Sequence, residues 1–375
     1  MSARVLICCG SGGVGKTTTS AALALRLALD GHRVAVLTID PARRLADSLG
    51  IGPLGNDPQR VPIEQLDPAC TGHLDAMMLD TKATFDTVVS RFAPTDASRR
   101  RILENRYYRF ASTRLAGSHE YMAMERLYEL YEQGGYDALV LDTPPTRHAI
   151  EFLRAPDRMS NLMDEGVMHW LSLPRDSVGF HALEKGSDLV AGILSRMVGG
   201  KTIGEIAEFF YAFRDLYTGF RERSQQVKRL LSGSNSAFLL VTTPAPAARR
   251  EAGLFLDVLR EARMPFGGFI VNRVTPSPSS AAPLPTSALP PRPAGTSPAL
   301  WTEITAGVCQ ARPHQAQLAA AERSALAELS REAGDAPVWP IPEMAIDVHA
   351  LPNLAALALE LRTTVNALMP QSGAD

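Results

Sequence analysis

Short apolar runs alternate with helical stretches at the beginning of the chain. Arg4–Cys9 is typical of a buried strand, Thr17–Leu29 contains helix formers without a breaker, and Arg33–Ile39 is rich in β-branched residues. Gly31 is placed to end the helix. The order of strand, loop, helix and strand predicts a β-loop-α-β unit.

Further apolar runs follow at wide intervals. They are Tyr136–Leu141, Ala237–Thr242 and Gly268–Val271, with Pro337–Ile341 as a weaker candidate. Because helical stretches separate these runs, the pattern predicts an α/β fold with a mostly parallel sheet covered by helices on both faces.

Two long stretches have helical patterns without strands between them. Residues 84–132 and 157–231 are predicted to form a helical subdomain inserted around the strand Tyr136–Leu141. Residues 276–298 contain 8 of the 27 prolines and little apolar bulk, which predicts a disordered loop. We expect one domain over residues 1–375, with these segments as insertions.

Charge and composition restrict the classes of function. The 375 residues include 38 Lys and Arg against 40 Asp and Glu, a net charge of −2, so nothing overall attracts a polyanion and nucleic-acid binding is not expected. The chain shows neither a signal-peptide pattern nor the run of about 18 apolar residues that a membrane span needs. We expect a cytoplasmic protein, with peripheral contact at a membrane as an option.

The loop after the first strand matches the phosphate-binding pattern GxxxxGK[ST]. Its glycines let backbone N–H groups surround phosphate oxygens, Lys16 would reach the β- and γ-phosphates, and the Thr17 hydroxyl would ligate Mg²⁺. The following helix adds its N-terminal dipole to the same anion site. A chance match is disfavoured because a strand precedes the loop and a helix follows it. The predicted nucleotide contacts are Gly10, Ser11, Gly12, Gly13, Val14, Gly15, Lys16, Thr17 and Thr18.

Two aspartates follow predicted strands. Asp40 comes after the second strand and could orient or deprotonate an attacking water, although it could also cap a short helix at residues 41–49. Asp142 ends a later strand and is placed to hold a Mg²⁺ water, with a capped turn into a helix at residues 147–154 as the alternative.

These motifs resemble those of one family of ATPases. GSGGVGKTTT is similar to the deviant Walker A loop GKGGVGKTT of partitioning ATPases, nitrogenase iron protein and arsenite-pump ATPases. DPARRLADSLG and LDTPPTRHAIEFL are similar to the DPAHN-type and DTAPTGH-type switches of the arsenite-transporter ATPases and the tail-anchored-protein targeting ATPases.

The resemblance implies a P-loop NTPase fold that binds ATP and Mg²⁺ and hydrolyses ATP. It implies that ATP closes a dimer and that Lys16 and Asp40 are catalytic, with Asp40 positioning the water. It also implies that Asn272 contacts adenine and that Pro340 and Pro342 belong to a proline-containing adenine loop.

Ser11 occupies the position at which the family's loop has a lysine that reaches the partner's nucleotide. Serine cannot supply a cation to developing negative charge. We therefore expect a heterodimer with a lysine-bearing paralogue, as in bacterial members with paired, unequal subunits that this sequence resembles. A homodimer in which Arg43 or Arg147 substitutes for the lysine is the alternative.

The family resemblance also implies a membrane-related client, such as a membrane protein. An ATPase subunit of an arsenite or anion efflux system is one alternative, and a nucleotide-binding scaffold with little turnover is another. As(III) needs clustered thiolates, and Cys70 and Cys309 have no neighbouring cysteine in the sequence, which disfavours arsenite chemistry. Apolar stripes around Met159–Val167 and Phe209–Phe220 are typical of helix packing or of a client groove, and both options stay open.

Overall fold

The structure is a computed structural model, which describes residues 3–40, 42–105, 108, 112, 118–144, 217–345 and 347–369. The helix predicted at residues 147–154, most of the second helical stretch and the apolar stripe around Met159–Val167 lie outside the described residues. The stripe at Phe209–Phe220 lies outside them except for the backbone of its last four residues.

A single eight-stranded sheet forms the centre of the molecule, in the order β3-β4-β2-β5-β1-β6-β7-β8. Its neighbouring strands are parallel except for the antiparallel pair β3 and β4. The prediction of a mostly parallel α/β sheet is therefore confirmed. The strands are β1 Arg4–Cys9, β2 Arg33–Thr38, β3 Gln59–Arg60, β4 His73–Met78, β5 Ala138–Asp142, β6 Ser236–Thr242, β7 Phe266–Val274 and β8 Val338–Pro342.

Helices cover both faces of this sheet, as the apolar strands require. Successive residues of β1 point to opposite faces, so Leu6 and Cys8 pack into one apolar cluster while Ile7 and Cys9 pack into the other. The helices are α1 Lys16–Leu29, α2 Arg44–Leu49, α3 Thr81–Phe92, α4 Asp96–Glu104, α5 Ser118–Gln133, α6 Tyr217–Ser232, α7 Pro246–Glu261, α8 Pro298–Ala333, α9 Leu351–Glu360 and α10 Arg362–Leu368. No helix among the described residues combines the length and the apolar character needed to cross a bilayer.

The strands β3 and β4 were absent from the sequence prediction. His73 is exposed and Asp75 is half-buried in β4, and these polar residues interrupt the apolar run that marks a buried strand. One helix prediction also differs in its bounds, because the helix expected at residues 41–49 begins at Arg44.

The predicted helical insertions are described only in part. Helices α3, α4 and α5 lie in the first of them, and α6 lies at the end of the second. A buried ion pair joins α5 to α6, because Arg223 Nε donates to Glu125 Oε1 at 2.6 Å and both side chains are at most 4% exposed. The Arg223 guanidinium also lies 4.1 Å from the centre of the Tyr128 ring.

Residues 276–297 contain no regular structure except a 3-10 turn at Thr286–Ala288. The segment contacts α8, since the Leu284 amide donates to the Cys309 carbonyl at 3.0 Å and Gln315 Nε2 donates to the Pro276 carbonyl at 2.9 Å. Its disorder stays a prediction, as does the single-domain organisation.

Candidate nucleotide-binding site

The phosphate loop joins the carboxyl end of β1 to the start of α1. Gly13 and Gly15 have φ angles of 79° and 91°, in the left-handed region that favours glycine. Helix α1 begins at Lys16 without a side-chain cap, so its first N–H groups stay available to an anion. The loop therefore has the local geometry that its sequence predicts.

Lys16 folds back over this loop. Its Nζ donates to the Ser11 carbonyl at 2.7 Å, and the side chain is buried. Burial lowers the pKa of Lys16, although the nearby Asp142 opposes the shift. The Lys16 ammonium group could therefore exchange the Ser11 carbonyl for phosphate oxygens without a large rearrangement.

Close contacts with the sheet leave no space for a side chain at two glycines of the loop. A Cβ on Gly10 would lie 2.1 Å from the Val241 carbonyl oxygen in β6, and one on Gly15 would lie 2.4 Å from Asn272 Nδ2 in β7. Gly12 and Gly13 have open space around them and are exposed. Thr18 is half-buried in the first turn of α1, and Val14 is buried against the sheet. The loop is thus fixed at its two ends and open in the middle.

Asp142 connects three segments at the carboxyl edge of the sheet. Its Oδ2 accepts the Thr17 hydroxyl at 2.8 Å and the Thr38 hydroxyl at 2.9 Å. Burial raises the pKa of Asp142 to about 6, while the two threonine hydroxyls lower it. Thr38 was not predicted as a site residue. The sequence feature that could have indicated it is a hydroxyl residue at the end of an otherwise apolar strand.

The other carboxylate oxygen of this residue suits a hydrated cation. Asp142 Oδ1 is buried and has no hydrogen-bond partner among the described atoms, which is costly for a carboxylate unless a ligand or water satisfies it. Together with the adjacent Thr17 hydroxyl it supplies the hard oxygen donors that Mg²⁺ prefers. The two predicted metal ligands are therefore brought together.

Asp40 lies next to this group. Its amide donates to Thr38 Oγ1 at 3.2 Å, and its carboxylate accepts from the Ala42 amide at 2.9 Å and from Arg44 Nη1 at 3.1 Å. The side chain is 25% exposed. The candidate water-positioning residue is therefore paired with a cation, and Arg44 was not among the predicted site residues.

The second predicted switch is described only at its start. Thr143 Oγ1 donates to the Cys8 carbonyl at 2.8 Å, which fixes the turn after β5 against β1. The rest of the switch, from residue 145, lies outside the described residues, as does Arg147.

Asn272 contacts the phosphate loop directly. Its Nδ2 donates to the Val14 carbonyl at 2.9 Å, and its Oδ1 accepts from the Arg273 amide at 3.0 Å. The register of β7 against β8 shifts between Val271 and Val274, and Arg273 has a left-handed φ of 59°. This irregularity places the Asn272 side chain under the loop, a contact that the sequence alone does not indicate.

A cavity of about 570 Å³ opens beyond the carboxyl ends of β7 and β8. Pro342 ends β8 there and is half-buried, whereas Pro340 is exposed within this edge strand. The volume is in the range of small-molecule sites. The cavity is lined by Thr275, Pro276, His314, Gln315, Leu318, Glu343, Met344 and Ala345.

These features define a P-loop nucleotide-binding protein with a parallel sheet. A family model described as "Anion-transporting ATPase" matches residues 3–284 of the chain. The chain belongs to this family of ATPases.

Curated relatives match parts of the chain. An arsenical pump-driving ATPase of Chlorobaculum tepidum is 35% identical over 157 residues, which are 42% of this chain and 36% of the relative. ATPase GET3 of Malassezia globosa is 29% identical over 40% of this chain and 42% of its own length. ATPase BagA of Mycobacterium tuberculosis is 27% identical over 44% and 49%, respectively. The chain thus spans less than half the length of each of these relatives.

Proposed function

We propose that the chain is a Mg²⁺-dependent ATPase that works by ATP-driven closure of a dimer. The observation that carries this proposal is the convergence of Thr17, Thr38 and Asp142 beside the phosphate loop. Asp142 and Thr17 would hold Mg²⁺, and the bound cation would neutralise charge on the β- and γ-phosphates. Lys16 would bind the same phosphates, and Asp40 would orient water and hold its proton.

Two substitutions test the hydrolysis directly. The purified chain, mixed with the lysine-bearing paralogue, is assayed for phosphate release with and without Mg²⁺, alongside Lys16→Ala and Asp40→Asn in the same mixture. We expect each variant to lose about 100-fold or more in rate, since each removes a group that acts on developing charge or on the nucleophile. Equal rates in all three proteins would contradict catalysis and favour a nucleotide-binding scaffold.

The proposed dimer is a heterodimer with a paralogue that carries the lysine missing at Ser11. The Ser11 side chain is buried and offers no cation to a neighbouring subunit. Turnover should therefore be slow for the purified chain and rise when the lysine-bearing paralogue is added. Fast turnover of the chain alone, without a rise on mixing, would contradict the heterodimer.

We also propose that the chain handles a membrane-related client and acts at the cytoplasmic face of a membrane. This proposal is based on the resemblance of its switch segments to those of the tail-anchored-protein targeting ATPases. The test uses a detergent-solubilised, leucine-rich helix of membrane-spanning length. It should co-elute with the protein in the presence of Mg²⁺ and ATPγS and separate from it in the presence of ADP. Co-elution that is independent of the nucleotide would contradict client handling.

Flotation of the ATPγS-bound protein with vesicles of phosphatidylglycerol tests the membrane contact. Absence of the protein from the floated fraction would contradict this contact.

Arsenite as a ligand of this chain is disfavoured by the cysteines. Cys8 and Cys9 are adjacent but point to opposite faces of the sheet, so they cannot chelate one As(III) together. Burial raises the pKa of both thiols to about 12, which keeps them protonated. The Cys70 thiol donates to the Ala28 carbonyl at 3.3 Å, and Cys309 lies in the distant helix α8.

A further inference from the structure

Arg44 is the first residue of α2 and reaches back to the end of β2. Its Nη1 lies 3.1 Å from Asp40 Oδ2, and its side chain is 70% exposed. An ion pair as exposed as this one is weak, because water and salt screen both charges. Arg44 can therefore leave Asp40 at little cost when a better anion is near.

A continuous set of hydrogen bonds places this pair beside the phosphate site. Thr17 of the phosphate loop and Thr38 both donate to Asp142, and Thr38 in turn accepts the amide of Asp40. The charges of Arg44 and Asp40 both act on Lys16, the first lowering its pKa and the second raising it. Three hydrogen bonds and one ion pair therefore connect the Arg44 guanidinium to Thr17 of the phosphate loop.

We propose that Arg44 is a γ-phosphate-binding residue of this chain, which exchanges Asp40 for the terminal phosphate when ATP binds. The proposal rests on the proposed ATPase function. A guanidinium binds phosphate through paired, charge-assisted hydrogen bonds, which are stronger than its exposed contact with one carboxylate oxygen.

The exchange has a consequence for Asp40. While Asp40 accepts from both Ala42 and Arg44, each of its two carboxylate oxygens already has a donor. Release of Arg44 to the γ-phosphate would free the carboxylate to orient water at the moment when ATP is in place. ADP has no γ-phosphate and would leave the pair intact.

Arg44 also bears on the missing lysine at Ser11. The DPAHN-type switch has an asparagine where this chain has Arg44. This chain would therefore supply one cation near the terminal phosphate from its own switch, in addition to the lysine proposed to come from the paralogue. Arg43, the alternative source of the missing cation, is exposed, and the structure shows no ion pair for it among the described residues.

The test compares binding of ATPγS and ADP to the purified full chain by calorimetry. The variants are Arg44→Gln, Arg44→Lys and, as a matched control, Arg43→Gln. We expect Arg44→Gln to weaken ATPγS binding about tenfold while ADP binding changes less than about twofold, since only ATPγS offers the charged γ-position. Arg44→Lys should recover part of the loss, and Arg43→Gln should resemble the wild type.

A double-mutant cycle with Asp40→Asn separates exchange from simple charge removal. Asp40→Asn should tighten ATPγS binding in the wild-type background, because Arg44 no longer has to leave a carboxylate, and this gain should disappear in the Arg44→Gln background. Equal ATPγS affinities for Arg44→Gln and Arg43→Gln would overturn the role of Arg44 but not the proposed ATPase function. The same holds if Asp40→Asn tightens ATPγS binding as much in the Arg44→Gln background as in the wild type. A wild-type chain that binds neither nucleotide would overturn the proposed function as well.

Discussion

Thr17 and Thr38 donate their hydroxyl groups to the same oxygen of Asp142, at 2.8 and 2.9 Å. Thr17 lies at the start of α1 and Thr38 ends β2, so one carboxylate connects the phosphate loop with the segment that carries Asp40. The second oxygen of that carboxylate is buried without a partner among the described atoms. A ligand bound at this oxygen would therefore affect both the phosphate loop and the segment that carries Asp40.

The substitution Asp142→Asn should remove the effect of Mg²⁺ on nucleotide binding. Asparagine retains a carbonyl oxygen for the two threonine hydroxyls but lacks the negative charge that attracts the cation. In thermal unfolding, ADP should raise the wild-type Tm more with Mg²⁺ than with EDTA, whereas the variant should give the same shift in both. Asp137→Asn, at an exposed ion pair with Arg33, is the control and should behave as the wild type. Retention of the full Mg²⁺ effect in Asp142→Asn would remove Asp142 from the metal site.

Substitution of Asn272 tests whether this residue acts through the phosphate loop. Asn272→Ala leaves the Val14 carbonyl without its donor, which should cost about 1–2 kcal/mol in loop stability and weaken nucleotide binding. The affinity for inorganic tripolyphosphate, which has no base, should then decrease together with that for ATP. A decrease for ATP alone would assign Asn272 to the adenine contact instead. Asn272→Asp places an acceptor where the Val14 carbonyl needs a donor. It should weaken the binding of both ATP and tripolyphosphate further.

The two ends of the phosphate loop should differ from its middle in their tolerance of alanine. Gly10→Ala places a Cβ 2.1 Å from the Val241 carbonyl, so β1 and β6 must move apart. We expect a loss of about 2–4 kcal/mol in the free energy of unfolding, typical of overpacking against backbone. Gly12→Ala is the matched control, since nothing lies within 4 Å of its Cβ, and its stability should equal that of the wild type. Similar unfolding midpoints for both variants in urea would refute this difference.

The ion pair between α5 and α6 should be costly to break from one side. Arg223→Met leaves the buried Glu125 carboxylate without its cation, and we expect a loss of about 3–5 kcal/mol in the free energy of unfolding. Adding Glu125→Leu should restore part of this loss, because no uncompensated charge then remains in the interior. Urea denaturation of the two variants and the wild type measures both effects. If Arg223→Met unfolds at the wild-type midpoint, the ion pair does not hold α6 on α5.

The sequence predicted most reliably the features that depend on neighbouring residues. Strand β1 has the predicted bounds, α1 begins one residue earlier than expected, and the phosphate loop lies between them. These elements are determined by a continuous apolar run, by helix formers without a breaker and by glycines where the backbone must adopt left-handed φ angles. The β4 strand was missed because its polar residues reflect its position near the sheet edge, which a local pattern does not contain.

Contacts between distant parts of the chain were decided by the tertiary structure. Asp142 lies 125 residues from Thr17, and Asn272 lies 258 residues from Val14, yet the strand order places each pair in hydrogen-bond contact. A motif can indicate that each of these residues serves the nucleotide, but not which atom it contacts. Local backbone preferences are sufficient to specify a phosphate loop on a mostly parallel sheet, so these features follow from the sequence alone. Only the packing of β1 between β5 and β6 decided how the loop, the proposed metal ligands and Asp40 meet, because parallel strands bring their carboxyl ends to a common edge regardless of their separation along the chain.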